Sequence, residues 1–255
     1  MVAYARQDLA EPRLSDIWPQ PLMPWTYKLT HYRLCPHSRS VRLALGEIGI
    51  EPELAEERPW EWRPGFLALN PAGDLPVLEV ARGPMLCGAY AISEFIDEEL
   101  HRHPPERGLA SFFPGSSEDR AEIRRLVDWF GRKLDREVTK EALHEKIYAL
   151  AQFPTHTPDP TAMRAVQANL RYHLSYLCYL ADHRRWLAGD EPSFADFTAA
   201  AHLSVLDYLG EVAWDDYPAA RCWYARVKSR PAFRPLLADR IPGMPPPLHY
   251  TNLDF

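Results

Sequence analysis

Strand-like alternation stops at Pro104-Pro105 and does not return. Before that point the chain reads as short strands mixed with helices. Tyr27 to Leu34 (YKLTHYRL) alternates as a strand. Pro36 interrupts it, and Ser38 is placed to cap the next segment. There Val41, Ala44, Leu45 and Ile48 recur at i, i+3, i+4, i+7, which predicts an amphipathic helix ended by Gly49. Residues 51–57 carry Glu51, Glu53, Glu56 and Glu57 and suit an exposed edge strand. A Pro/Trp connector comes next at 58–64 (RPWEWRP). Pro76 to Val80 and Met85 to Cys87 flank the Arg82-Gly83-Pro84 turn as a hairpin. Ala89 to Leu100 reads as a helix with Ile92, Phe95 and Ile96 inward. Beyond a linker at 104–117 only helices are predicted. The first is long, 118–152, with Ile123, Leu126, Val127, Phe130, Leu134 and Val138 on one face. A second runs 158–187. Ser193 caps a third, and Asp196 three residues on completes a capping box. Shorter helices fall at 218–229 and 231–240. The pattern predicts an α/β domain at 25–103 and an all-α domain at 118–240.

Proline marks the ends. The chain holds 25 Pro against 12 Gly in 255 residues, where average usage gives about 13 Pro. Pro12, Pro19, Pro21 and Pro24 fall in residues 1–24, read as an extended or disordered leader. Four more lie in residues 241–255 (IPGMPPPLHYTNLDF), read as an extended recognition tail whose anchors are Leu248, His249, Tyr250, Leu253, Asp254 and Phe255. The other reading of the tail is that it docks across its own domain, with a cleft there as one place for it; the two readings are compatible.

Charge and cysteine exclude several classes. A formal charge of −6 argues against broad nucleic-acid binding. No run approaches about 20 apolar residues, so no membrane-spanning helix is expected. The start lacks a secretory pattern. Four scattered cysteines, at 35, 87, 178 and 222, form no zinc-ligand spacing, which points to a reducing cytoplasm and no metal site.

Three further features offer contact chemistry. Cys35 precedes a helix N-terminus, where dipole and free amides lower a thiol pKa; the alternative is a small packing residue. Trp60 and Trp62, with Leu67 nearby, are either surface anchors or packed under the first helix. Arg125, Trp129, Arg132, Arg136 and Lys140 have 4, 3, 4, 4 spacing and share one helical face, either a basic partner surface or the rim of a helix seam that buries Trp129.

Four segments in order resemble the glutathione S-transferase superfamily. They are Leu34-Cys35-Pro36-His37-Ser38 with the helix after it, Asn70-Pro71-Ala72-Gly73-Asp74-Leu75-Pro76-Val77-Leu78, Ala91-Ile92 with Phe95-Ile96, and Ser193-Phe194-Ala195-Asp196-Phe197. The resemblance spans about residues 26–240. It implies a thioredoxin-like N-terminal domain, a helical C-terminal domain and a cis Pro76. It also implies a glutathione site at Cys35, Leu75 and Pro76, with Cys35 or Ser38 facing the sulfur. Glutathione-binding members carry an acid-serine pair after the fourth strand. Here Gly88-Ala89 stands in that register, so the charge and hydroxyl that grip the γ-glutamyl group are missing. Charge-assisted hydrogen bonds of that kind contribute about 1.5–3 kcal/mol each. With its C-terminal extension, the chain most resembles a non-catalytic, FtsZ-binding, cell-division group of that superfamily found in alphaproteobacteria. That resemblance implies a cytoplasmic homodimer at the division site with no cofactor. The alternative it leaves open is a glutathione-dependent thiol transferase using Cys35.

Overall fold

A computed structural model describes residues 26–104 and 108–253. The leader at 1–24 lies outside the described residues, as do Asp254 and Phe255 of the tail.

The N-terminal domain is a four-stranded mixed sheet with helices. β1 (Tyr27–His31) pairs in parallel with β2 (Glu53–Glu56), across α1 (Pro36–Glu47). The short α2 (Pro64–Leu69) leads to the antiparallel hairpin of β3 (Val77–Val80) and β4 (Met85–Cys87). β3 pairs antiparallel with β1, giving the order β2-β1-β3-β4. The glutamate-rich strand is at the edge, where a strand exposed on both faces tolerates charge. The Leu75–Pro76 peptide is cis. α3 (Ala89–Arg102) closes the domain, burying Ile92 and Ile96.

Among its described residues the linker sends two side chains into the core and leaves most of the others at the surface. Phe112 and Phe113 are buried, and Asp97 Oδ1 accepts from Ser111 Oγ at 2.7 Å and the Phe112 amide at 2.6 Å. Ser116 then caps the next helix in a capping box with Asp119.

That helix, α4, runs without a break over 117–152. It begins as α-helix at Ser117–Asp128, turns π-helical over Trp129–Thr139, and alternates again through His144–Tyr148 to Gln152. The Lys140 amide bonds back to Asp135 O and the Ala149 amide to His144 O, both i→i−5. α5 (Pro160–His183) starts on its Asp159 cap and stops short of the expected 187, because Trp186 and Leu187 leave the helix to enter the core. α6 (Phe194–Tyr208) is buried at every residue and forms the centre of the domain. Its first turn carries the predicted Ser193–Asp196 capping box. α7 (Pro218–Lys228) and α8 (Arg234–Ala238) complete the body.

α1 packs along α6, joining the two domains through one continuous core. α4 crosses α6 at Gly131, where an added Cβ would stand 3.3 Å from Thr198 Cγ2. That close approach brings the middle of α4 against the cleft between the domains.

Candidate functional site

A cleft of about 1170 Å³ opens between the first turn of α1, the loop before β3 and the π-helical part of α4. Of the expected glutathione positions, Cys35 and Leu75 line its N-terminal wall and Pro76 does not; Gly88 and Ala89, in the acid-serine register, line it as well. Cys35 is the N-cap residue of α1, and its Sγ sits 3.9 Å from Leu75 O. It is 8% exposed, and burial pushes its thiol up to about 11. The lowered pKa expected from the helix terminus is therefore reversed, because desolvation outweighs the dipole. Ser38 does not cap α1. The helix begins at Pro36, and Ser38 is fully buried in the first turn.

Gly88 explains part of the departure from the acid-serine pattern. It caps α3 with φ +86° and ψ 141° and no side-chain cap bond. That backbone region belongs essentially to glycine. The position presents neither carboxylate nor hydroxyl to the cleft.

The predicted contact residues separate into three places. Trp60 is half-buried against Tyr32 and Tyr148, with ring centroids 5.1 and 4.9 Å away, and lines the cleft. Trp62 also lines it but is 64% exposed. Leu67 is half-buried on α2. On α4, Trp129 packs into the seam with α5, its ring 4.6 Å from that of Tyr176. Arg125 points the same way, bonding Tyr176 Oη at 2.7 Å and Glu122. Arg132 and Lys140 instead line the cleft. The single basic face is thus corrected to two. The spacing assumed 3.6 residues per turn, and the π-helical winding re-phases everything beyond Asp128. Arg132 and Arg136 are each tied to a carboxylate of their own helix, Asp128 and Glu137.

The described part of the tail takes the second reading, docking on its own domain. It neither projects as an extended strap nor covers the cleft. It folds back onto the body, with a short 3₁₀ turn at Leu248–Thr251. Tyr250 is fully buried, 5.2 Å from the Tyr208 ring. Its hydroxyl accepts from Arg39 Nη1 at 3.0 Å and donates to Leu236 O at 3.2 Å. Arg39, on α1, is itself fully buried and also donates to Ser204 Oγ at 2.8 Å and Asp239 at 3.3 Å. His249 Nε2 lies 2.9 Å from Asp207 Oδ1, and the buried Lys228 Nζ donates to His249 O at 3.2 Å. This latch ties residues of both domains together. Tyr250 is a buried structural anchor, while His249 keeps 40% of its side chain exposed beside Asp207. Leu253 packs on the core, while Leu248 remains 98% exposed. Arg39, Asp207 and Lys228 carry no sequence spacing that links them, so sequence reasoning missed the latch partners.

The sheet order, the cis proline, the helical domain and the cleft between them define a class of protein. The glutathione S-transferase N-terminal domain family matches residues 34–99, and the glutathione S-transferase C-terminal domain family matches residues 140–231. The chain belongs to the glutathione S-transferase family. Within it, the chain is 47% identical to FtsZ-localized protein A of Caulobacter vibrioides (strain NA1000 / CB15N) over 230 residues, covering 89% of this chain and 97% of that protein. It is 26% identical to glutathione S-transferase 2 of Saccharomyces cerevisiae over 216 residues, 80% of this chain and 87% of that one. Among solved structures, a glutathione S-transferase from Sinorhizobium meliloti 1021 superposes with a TM-score of 0.85 at 46% identity. FzlA from C. crescentus superposes with 0.82 at 45%. Each comparison covers 90% of this chain and all of the other.

Proposed function

We propose that this chain is a non-catalytic glutathione S-transferase-like adaptor that binds FtsZ filaments and acts in cell division at the division site. The observation that carries the reading is the near full-length similarity to FtsZ-localized protein A, at 47% identity. The cleft supports it. Gly88-Ala89 offers no charge-assisted grip for a γ-glutamyl group, and Cys35 is a buried thiol whose pKa is raised rather than lowered. Within this reading the adaptor is a homodimer, so weak single contacts gain avidity along a polymer. Its partner surface includes Leu248 and Trp62, two large apolar side chains left exposed by the fold.

The test pairs FtsZ co-sedimentation with glutathione calorimetry on the full chain. The expected result is co-pelleting with FtsZ polymer and no heat from glutathione at millimolar concentration. A chain that stays in the supernatant while FtsZ pellets overturns the adaptor reading. Glutathione binding together with a transferase activity lost in Cys35→Ala would replace it by the thiol transferase. Leu248→Asp tests the tail contact without touching the buried latch, and weaker co-pelleting is expected.

A further inference from the structure

Three side chains far apart in sequence meet at the floor of the cleft, where α1, α4 and α6 converge. His37 stands in the first turn of α1, Asp135 in the π-helical part of α4, and His202 in the middle of α6. The Gly131–Thr198 approach sets this meeting, since Asp135 and His202 each lie four residues further along their helices. Each of the three offers a potential ligand atom, and all three atoms lie within 4.8 Å of one another.

The distances do not describe a finished hydrogen-bond cluster. His37 Nε2 is 3.6 Å from Asp135 Oδ2, and His202 Nδ1 is 3.9 Å from Asp135 Oδ1. Both exceed hydrogen-bond length. The carboxylate thus turns one oxygen toward each imidazole without closing on either. The two rings stand edge to face with centroids 5.2 Å apart. His202 is fully buried, and its Nε2 has no hydrogen-bond partner among the described residues. A buried polar atom in that state is costly and calls for a further partner.

The donor set says which partner. Two imidazoles and one carboxylate suit zinc and neighbouring divalent transition ions, whereas calcium and magnesium take oxygen. Around a tetrahedral ion with bonds of about 2.0–2.1 Å, neighbouring ligand atoms stand about 3.3 Å apart. His37 Nε2 and Asp135 Oδ2, 3.6 Å apart, need only a small contraction to reach that geometry, and the three ligand atoms, all within 4.8 Å of one another, close around an ion on binding. Thr139 Oγ1, 3.0 Å from His202 Nδ1, fixes the ring in the way an outer-shell partner does and leaves Nε2, the nitrogen without a partner among the described residues, as the ligand. Three protein ligands leave a fourth position open. His202 closes the back of the cluster, while His37 and Asp135 line the cleft, so the open position faces the cleft.

We propose that His37, Asp135 and His202 form a binding site for a divalent transition ion of the zinc class, with one coordination position open to the cleft. The site stands independently of the FtsZ reading.

The experiment uses the full chain, stripped with a chelator and dialysed. Cobalt(II) is titrated in while its visible d–d absorption is monitored, and zinc(II) is then added in competition. One equivalent of cobalt per chain is expected to saturate the band, and zinc to abolish it. His37→Ala and Asp135→Asn, both at the cleft surface, are each expected to weaken cobalt binding by about 10-fold or more. Zinc is expected to raise the thermal midpoint of the native chain more than that of either variant. His101→Ala, on α3 and outside the cluster, is expected to bind like the native chain. The absence of a saturable band overturns the proposal. So does a band that survives both cluster substitutions, or one that is lost in His101→Ala.

Discussion

The seam between α1 and α6 carries two polar clusters, and they differ in how complete they are. Two positions along α1 face opposite ways, His37 into the cleft and Arg39 into the latch. Their counterparts on α6, His202 and Ser204, divide in the same manner. In the latch the buried Arg39 guanidinium reaches two hydroxyls, a carboxylate and two backbone carbonyls within 3.5 Å. In the cleft cluster the nearest charged contacts are 3.6 and 3.9 Å, and His202 Nε2 stands without a partner among the described residues. A closed network specifies and stabilises one structure. An open one is poised for a ligand. The tail therefore serves stability at one end of the seam, while the other end keeps its chemistry available.

The largest effect expected from this contrast is in the latch. Tyr250→Ala removes a buried aromatic ring and one partner of Arg39, and should cost about 3–5 kcal/mol in urea unfolding. Truncation at residue 240 should do at least as much, so a deletion that leaves stability untouched would break the comparison. A free recognition tail could be removed without harm to the fold. A latch that buries Tyr250 cannot.

In the cleft, Cys35 should behave as a buried thiol. With its pKa raised from 9.0 to about 11, it holds about 100-fold less thiolate at neutral pH. A short pulse of iodoacetamide and then mass spectrometry should label the exposed Cys87 and Cys222 and spare Cys35. Prompt labelling of Cys35 would restore the transferase reading. Gly88→Ala places a side chain on a glycine-only backbone and should cost about 1–3 kcal/mol by urea midpoint.

The latch also predicts a pH dependence. Burial lowers Lys228 from 10.5 to about 8, against the pull of Asp207. Below pH 8 both folded and unfolded chains hold the proton. Above it the folded chain releases the proton while the unfolded chain keeps it toward 10.5. Stability from this group therefore rises with pH in that window, by at most about 1.4 kcal/mol per unit. Cys35 acts in the opposite direction above its unfolded value of 9.0, so pH 8–9 is the cleanest interval. Lys228→Met should flatten the difference there. The smallest effect is expected at an exposed ion pair of α4 beside the cleft. Arg132→Ala removes only an exposed pair with Asp128, and the urea midpoint should not move measurably.

Much of the fold is legible in the sequence because its signals are local. The Ser193–Asp196 capping box, the Arg82-Gly83-Pro84 hairpin turn and the glutamate-rich edge strand each depend on residues within a few positions of one another. The basic face of α4 is not legible, because i→i−5 winding leaves no mark on an apolar periodicity judged at 3.6 residues per turn. Ser38 looks like a cap because it is a hydroxyl just after Pro36. The backbone turns into the helix earlier, at Cys35. Of the candidate site, the sequence reveals the walls, Cys35, Trp60, Leu75 and Gly88, through motifs that stay short. It does not reveal the floor, since His37, Asp135 and His202 come from three helices and nearly 170 positions of chain.

By itself the sequence determined the change from mixed strands and helices to helices alone, the order of strands and helices, and the loss of the acid-serine pair at Gly88-Ala89. These arise from periodicity, capping and turn chemistry, which act over a few residues. Only the tertiary structure decided that Cys35 is desolvated, that Tyr250 is sealed behind Arg39, and that two histidines and an aspartate face one another. Burial and long-range polar contact depend on which surfaces α1, α4 and α6 present to each other, and that is a property of packing.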